Sequence, residues 1–348
     1  MNYQNTNINP ELTLLEALKK MDITNRKLLI VEKNDLLIGL LSIGDIQRAI
    51  IKNISLDTKI FNILRKDFKI ASTEDTLDEI KKMMFEDRIE LCPVVNKKSK
   101  IINIHYWEDL FKNKKNEYNK KINLPVVIMA GGLGERLKPL TNVIPKPLLP
   151  INDNTIIEEI FSRFSKYDCN NFFLSINYKS ELIKFYIENQ KLSYNINFFK
   201  ENKPLGTAGS LSLLKNKINE TFFITNCDCL IDQDYFELLK YHQDNKNEMT
   251  IVSSLKNLQI PYGTITTKDN GMLDTLDEKP NLTLQVNSGM YILEPHLINE
   301  IPKDTFFHMT DLVSTIINRK GRIGVFPVSD QSWVDIGTWN QYLNVIDK

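Results

Sequence analysis

The stretch Ala130-Gly131-Gly132-Leu133-Gly134-Glu135-Arg136-Leu137, followed by Pro139-Leu140-Thr141 and Pro145-Lys146-Pro147-Leu148, has the residue types of a loop that grips a triphosphate. Glycines let backbone N–H groups reach phosphate oxygens with no Cβ in the way, and Arg136 and Lys146 bring fixed positive charge to the same anion. The apolar run Val126-Val127-Ile128-Met129 reads as a buried parallel strand that places this loop at its carboxyl end. A Walker loop is excluded, because that motif needs Gly-Lys-Ser/Thr and here the lysine comes 12 residues after the last glycine. A dinucleotide fingerprint is not matched either, since the glycines fall at 131, 132 and 134. The plain alternative is a glycine-rich turn with solvated Arg136 and Lys146, which leaves the flanking prolines unexplained.

A second chemical element lies downstream. Asp228 follows the apolar run Phe222-Phe223-Ile224, which delivers its carboxylate to the same sheet edge as the glycine loop. A hard oxygen ligand there suits Mg2+, which takes few protein carboxylates and completes its octahedron with phosphate oxygens and water. The plain alternative is a turn-forming aspartate after a strand.

Helix and strand patterns alternate around these residues. Ile156 to Phe164 reads as helix, Phe172 to Ile176 as strand, Glu181 to Glu188 as helix, Phe222 to Thr225 as strand and Tyr235 to Tyr241 as helix. Such alternation predicts an α/β fold with a doubly wound, mostly parallel, Rossmann-like sheet over residues 124–348.

The glycine loop resembles the signature of the sugar-1-phosphate nucleotidyltransferases, the nucleotide-diphospho-sugar transferases that make nucleotide-sugars. The resemblance continues in the family's order through Glu201, Pro204-Leu205-Gly206-Thr207-Ala208-Gly209, Asn226-Cys227-Asp228, Pro261-Tyr262-Gly263, Glu278-Lys279-Pro280, Asn287-Ser288-Gly289-Met290-Tyr291 and Trp333-Val334-Asp335-Ile336-Gly337-Thr338. Two positions depart from the pattern: Glu135 stands where Thr or Ser is usual, and Cys227 where Gly is usual. The reaction implied is in-line attack by a sugar 1-phosphate oxygen on the α-phosphorus of a nucleoside triphosphate, with Mg2+ as cofactor. The resemblance assigns Arg136 and Lys146 to catalysis and Ala130, Gly131, Gly132, Gly134, Glu201 and Gly206 to the nucleotide. Lys279, Glu278, Asn287 and Gly263 fall to the sugar phosphate, and Asp228 and Asp335 to the metal. Plain alternatives are an Asx-turn at Asp335 and a solvated Glu278–Lys279 pair.

Base preference follows one step further. Related enzymes that use uridine or thymidine triphosphate usually carry Gln at the position of Glu201. A carboxylate only accepts hydrogen bonds, and guanine offers two adjacent donors, so Glu201 favours GTP. The alternative is a solvated glutamate ahead of Pro204.

The first 110 or so residues hold an internal repeat. Thr13-Leu14-Leu15-Glu16-Ala17-Leu18-Lys19-Lys20-Met21 matches Thr76 to Met84 at an offset of 63, and Leu28 to Val31 matches Cys92 to Val95 at 64. Each copy reads as a helix, two strands joined by a polar turn, and a helix opened by an aspartate, Asp45 or Asp109. This α+β pattern resembles a CBS domain pair, with repeats at 1–54 and 55–111 and a charged linker at 112–123. The resemblance implies an adenine-nucleotide site using Ser42, Asp45 and Asp109, while helix N-capping explains the aspartates without a ligand. The CBS pair ahead of the transferase is similar to the glucosamine-1-phosphate guanylyltransferases of legionaminic (nonulosonic) acid biosynthesis. Mannose-1-phosphate guanylyltransferase, a glucose-1-phosphate uridylyl- or thymidylyltransferase, and a catalytically silent nucleotide-sensing CBS protein are the rivals.

Composition narrows the class. Formal net charge is zero over 348 residues, which argues against a nucleic-acid or anionic-membrane binder. The polar N-terminus has no apolar signal region and no stretch reaches 18 uncharged apolar residues, so a cytoplasmic protein is expected. Cys92, Cys169, Cys227 and Cys229 make neither a disulfide framework nor a paired zinc motif. A homo-oligomer is the expected assembly, since the CBS pair and the segment after Asn287 offer apolar faces that could pair subunits or pack within one chain.

Overall fold

The structure, a computed structural model, describes residues 6–24, 26–64, 68–86, 91–106, 110 and 121–346. The chain divides into two compact units, 1–117 and 118–348. Asp109 and residues 112–120 of the expected linker lie outside the described residues.

The first unit carries the repeat into three dimensions. Strands β1 (Asn7–Ile8), β2 (Leu28–Lys33) and β3 (Leu36–Ser42) form one sheet, and β4 (Ala71–Ser72), β5 (Leu91–Val95) and β6 (Ile101–Tyr106) form another. In both, the first pair is parallel and the second antiparallel, with a register shift in the antiparallel pair. The helices Leu14–Thr24 and Leu77–Glu86 open on the same capping box. Glu16 Oε2 accepts from Thr13 N at 2.7 Å and Glu79 Oε2 from Thr76 N at 2.8 Å, which satisfies donors that a helix start leaves orphaned. Ile30, Leu91, Val95, Ile101 and Ile104 join both sheets in one apolar cluster. Asp45 stands at the third helical position rather than at the cap expected for it. Ser42 caps Ile43–Ile51, Ser42 Oγ donates to Asp45 Oδ2 at 2.6 Å, and Arg48 donates to Asp45 Oδ1 at 2.5 Å.

The second unit is built on β7 (Val126–Met129). A short hairpin, β8 (Pro150–Ile151) and β9 (Asn154–Thr155), precedes β10 (Asn171–Ile176), β11 (Asn195–Lys200), β12 (Phe222–Asn226) and β13 (Cys229–Ile231). The chain continues through β14 (Met249–Gln259), β15 (Thr264–Thr267), β16 (Leu273–Asp277), β17 (Asn281–Leu293), β18 (Ile323–Val328) and β19 (Trp333–Asp335). Seven of these form the central sheet in the order β11-β10-β7-β12-β17-β14-β18, parallel throughout except for β17.

Strand alternation assigns the two faces. Phe222 and Ile224 join Val127, Leu293, Leu312 and Ile316 on one side. Phe223 points the other way, to Phe164 of the helix Ile156–Ser165, with ring centroids 5.4 Å apart, and Phe164 in turn meets Tyr235 at 4.7 Å. No helix among the described residues is long and apolar enough to cross a membrane.

One buried group on the helix Tyr235–Asp244 couples this packing to pH. His242 is 1% exposed, its Nδ1 2.8 Å from Thr250 Oγ1 and its Nε2 3.1 Å from Glu294 Oε1. Burial pulls its pKa below the ordinary 6.5, although Glu294 opposes the shift. A folded-state pKa below the unfolded one means stability is full above about pH 6.5 and declines as pH falls. Urea unfolding midpoints measured between about pH 7 and 5 are expected to fall less steeply for His242→Gln than for the unaltered chain.

Candidate active site

Four parallel strands end at one edge of the sheet, and the candidate residues follow directly from those ends. Met129 pairs with Ser175 on one side and Asn226 on the other, so Ala130-Gly131, Asn177 and Cys227-Asp228 leave the sheet together. Cys227 N donates to Met129 O at 3.2 Å and Ala130 N to Ser175 O at 3.0 Å, extending the ladder one step beyond the strands. Gly132 faces open space, and Gly134 takes a left-handed φ of 64° that starts the turn carrying Arg136.

Lys146 sits between Pro145 and Pro147 in a one-turn 3-10 helix and is 7% exposed. Its Nζ donates to Asp228 Oδ2 at 2.5 Å. Asp228 lies just ahead of β13, whose Cys229 pairs with Asp335 of β19, and Asp228 O accepts from Ile336 N at 2.9 Å. The two aspartates named from the sequence are therefore brought close along the backbone, Asp335 on β19 and Asp228 in the turn just ahead of its partner strand β13. Asp335 Oδ2 accepts from Gln341 Nε2 at 3.1 Å, and among the described residues Asp335 Oδ1 has no hydrogen-bond partner. A Cβ at Gly337 would stand 2.9 Å from Asp335 Oδ1 and 3.0 Å from an Arg136 terminal nitrogen. Glycine at 337 is thus what lets the guanidinium and the carboxylate approach the same point.

Two carboxylates, Asp228 just ahead of β13 and Asp335 on its partner strand β19, are hard-oxygen donors of the kind Mg2+ takes together with phosphate oxygens and water. Among the described residues, Glu248, His296 and Glu300 form a separate His/Glu group. Arg319 binds Glu248 at 2.5 Å and Glu300 at 2.7 Å, and its hydrogen bond is the main reason the Glu248 pKa is held at about 2. That group is therefore a charge network filled by an arginine.

Glu201 follows β11 and is 7% exposed. Ser175 Oγ donates to its Oε1 at 2.5 Å, Leu205 N donates to its Oε2 at 3.0 Å, and a Cβ at Gly131 would lie 3.3 Å from Oε1. The carboxylate is thus fixed against the glycine loop rather than solvated ahead of Pro204. Gly206 has a φ of 80° and packs on the Phe307 backbone, where a Cβ would stand 2.6 Å from Phe307 O.

The sugar-side candidates form a second group. Lys279, at a φ of 49°, links β16 and β17; its N donates to Tyr262 O at 3.3 Å, and a Cβ at Gly263 would lie 3.0 Å from Glu278 Oε2. All three residues are exposed, and among the described residues no hydrogen bond or ion pair joins them to Lys146, Asp228 or Asp335. Asn287 stands on β17 at the shared edge, its Nδ2 donating to Tyr291 OH at 2.6 Å, two residues before Gly289, which abuts Asn226.

The departures from the motif resolve locally. Glu135 is exposed and lies 3.7 Å from Lys138 rather than toward Lys146. Cys227 is buried, and burial, reinforced by the Asp228 charge, pushes its thiol up to about 12, so it stays protonated and unreactive. Sequence reasoning missed Ser175, Gln341 and Trp339, whose Nε1 donates to Lys138 O at 2.9 Å and ties the helix Trp339–Ile346 to the glycine loop. Thr338-x-x-Gln341 was a legible helix-start pattern; Ser175 carried no signal beyond membership of a strand.

Residues 125–348 match the nucleotidyl transferase family and residues 1–52 match the CBS domain. The chain belongs to the nucleotidyl transferase family. It is 33% identical over 190 residues to the mannose-1-phosphate guanylyltransferase catalytic subunit beta of Dictyostelium discoideum, covering 52% of this chain and 53% of that protein. The counterpart from Danio rerio is 30% identical over 239 residues, covering 63% of each. The chain thus spans roughly half to just under two thirds of these curated relatives. The crystal structure of HddC from Yersinia pseudotuberculosis, 26% identical, superposes with a TM-score of 0.51 over 64% of this chain and 98% of that one; the same protein is known in complex with GMP-PN.

Proposed function

We propose that this chain is a sugar-1-phosphate guanylyltransferase that joins GTP and a sugar 1-phosphate into a GDP-sugar and pyrophosphate. The observation that carries the reading is the Lys146–Asp228 pair at the carboxyl ends of parallel strands, with the glycine loop beside it and Asp335 on the strand paired with β13. Family membership and the guanylyltransferase relatives support the reaction class. Support for guanine comes from Glu201, an acceptor-only side chain held against Gly131, and from the GMP-PN complex of HddC. The CBS domain matched at residues 1–52 and the second repeat support glucosamine 1-phosphate, by likeness to the enzymes of legionaminic acid biosynthesis. The names of the curated relatives favour mannose 1-phosphate as the second reading.

The attacking oxygen of a sugar 1-phosphate is already ionised, so no general base is required. That oxygen bonds to the α-phosphorus as the bond to the β-phosphate oxygen breaks, and pyrophosphate leaves with the electron pair. The two anions repel, and in this reading Arg136 and Lys146 reduce that cost on the nucleotide side while Lys279 holds the sugar phosphate. Asp228 and Asp335 would hold Mg2+, which neutralises phosphate charge when bound. Pyrophosphate release across GTP, UTP, CTP and dTTP, each with glucosamine 1-phosphate and mannose 1-phosphate, tests the proposal. GTP is expected to dominate, and Glu201→Gln to lower GTP turnover relative to UTP by about tenfold or more. An unchanged base preference in the variant removes Glu201 from the argument, and no release with any pair sinks the reaction.

A further inference from the structure

We propose that Lys146 is a built-in counter-ion that keeps the metal position closed until a nucleoside triphosphate arrives, so that the ion and the nucleotide enter together. The inference rests on the reading of Asp228 and Asp335 as metal ligands. Lys146 Nζ holds Asp228 Oδ2 at 2.5 Å, and the two side chains are 9% and 20% exposed, so water screens the pair weakly. The lysine has little freedom to leave. Prolines at 145 and 147 fix its backbone, and Leu149 N closes the turn on Lys146 O at 3.1 Å.

Arg136 is a second cation nearby: its guanidinium and Asp335 Oδ1 both border the space a Gly337 side chain would fill, with no ion pair between them among the described residues. Two carboxylates faced by two cations leave no net negative charge to draw a divalent ion out of water. A triphosphate reverses that balance. Its oxygens offer Lys146 and Arg136 better partners and bring further hard donors, which frees Asp228 Oδ2 for the ion. Lys146 then changes partner, from carboxylate to phosphate, without moving its backbone.

The test reads metal binding and needs no turnover, so a failure of the proposed reaction leaves its outcome interpretable. Free Mn2+ is titrated by electron paramagnetic resonance into the full chain without nucleotide, for the unaltered protein, Lys146→Met, Lys146→Gln, and Lys146→Met combined with Asp228→Asn. Either single variant is expected to bind Mn2+ at least tenfold more tightly than the unaltered chain, and the double variant to lose that gain. Equal affinity in the unaltered chain and in whichever single variant folds overturns the proposal. A gain that survives Asp228→Asn overturns it as well, and places the ion away from this pair.

Discussion

Lys146→Met is expected to lower kcat/KM for GDP-sugar formation by about 10²–10³-fold, the usual cost of losing one group that meets developing charge in the transition state. Methionine is an unbranched side chain one atom shorter than lysine; at a position 7% exposed it removes the ammonium while leaving most of the apolar stem, so packing around Pro145 and Pro147 is largely conserved. The fall should appear mainly in kcat, because Arg136 and the glycine loop remain to hold the ground-state triphosphate. Steady-state rates of pyrophosphate release across GTP concentrations check this. A variant that retains more than about a third of the normal kcat would remove Lys146 from the chemistry. Slower turnover together with tighter Mn2+ binding would be a combination that simple misfolding does not produce.

The two carboxylates and the lysine illustrate what a sequence carries and what it leaves open. Asp228 could be placed at the sheet edge because four apolar or β-favouring residues before it form a strand whose direction is set by the parallel neighbours. Its partner could not be read. Lys146 precedes Asp228 by 82 residues, and no periodicity links a proline-framed turn to a strand end that distant. The same holds for Ser175, which looks like any small residue in an alternating strand until β11 brings Glu201 beside it. Lys279 shows a further limit, since its left-handed backbone arises from the tight link between β16 and β17, and lysine itself does not signal that conformation.

Elements whose causes are local were the readable ones. Val126–Met129 forms the strand at its expected bounds, and Thr13-x-x-Glu16 and Thr76-x-x-Glu79 open helices with the same reciprocal hydrogen bonds. Asp45 shows how close a local reading can come while assigning the wrong role. The aspartate does serve the helix start, but from the third position, where it receives Ser42 and Arg48.

Gly206 separates a nucleotide-binding role from a scaffolding one, and Gly206→Ala is expected to unfold the second unit about 6–12 °C earlier, for a loss of about 3 kcal/mol. A residue with a Cβ at a φ of 80° is strained by about 1–2 kcal/mol before any contact is counted. The new methyl would also stand 2.6 Å from Phe307 O, a backbone atom with no rotamer to yield. Phe307 must therefore shift, and it is a junction: its O accepts from Ala208 N at 3.0 Å and Gly209 N at 2.9 Å, and its N donates to Leu205 O at 2.9 Å. Leu205 N is in turn one of the two donors that hold the Glu201 carboxylate. The disturbance thus runs from Phe307 through Leu205 to the Glu201 carboxylate, the group proposed to read the base. Calorimetric Tm and the GTP-to-UTP turnover ratio should fall together in Gly206→Ala. A raised KM for GTP with Tm unchanged would instead show that this glycine meets the nucleotide directly and that the Phe307 contact carries no stability.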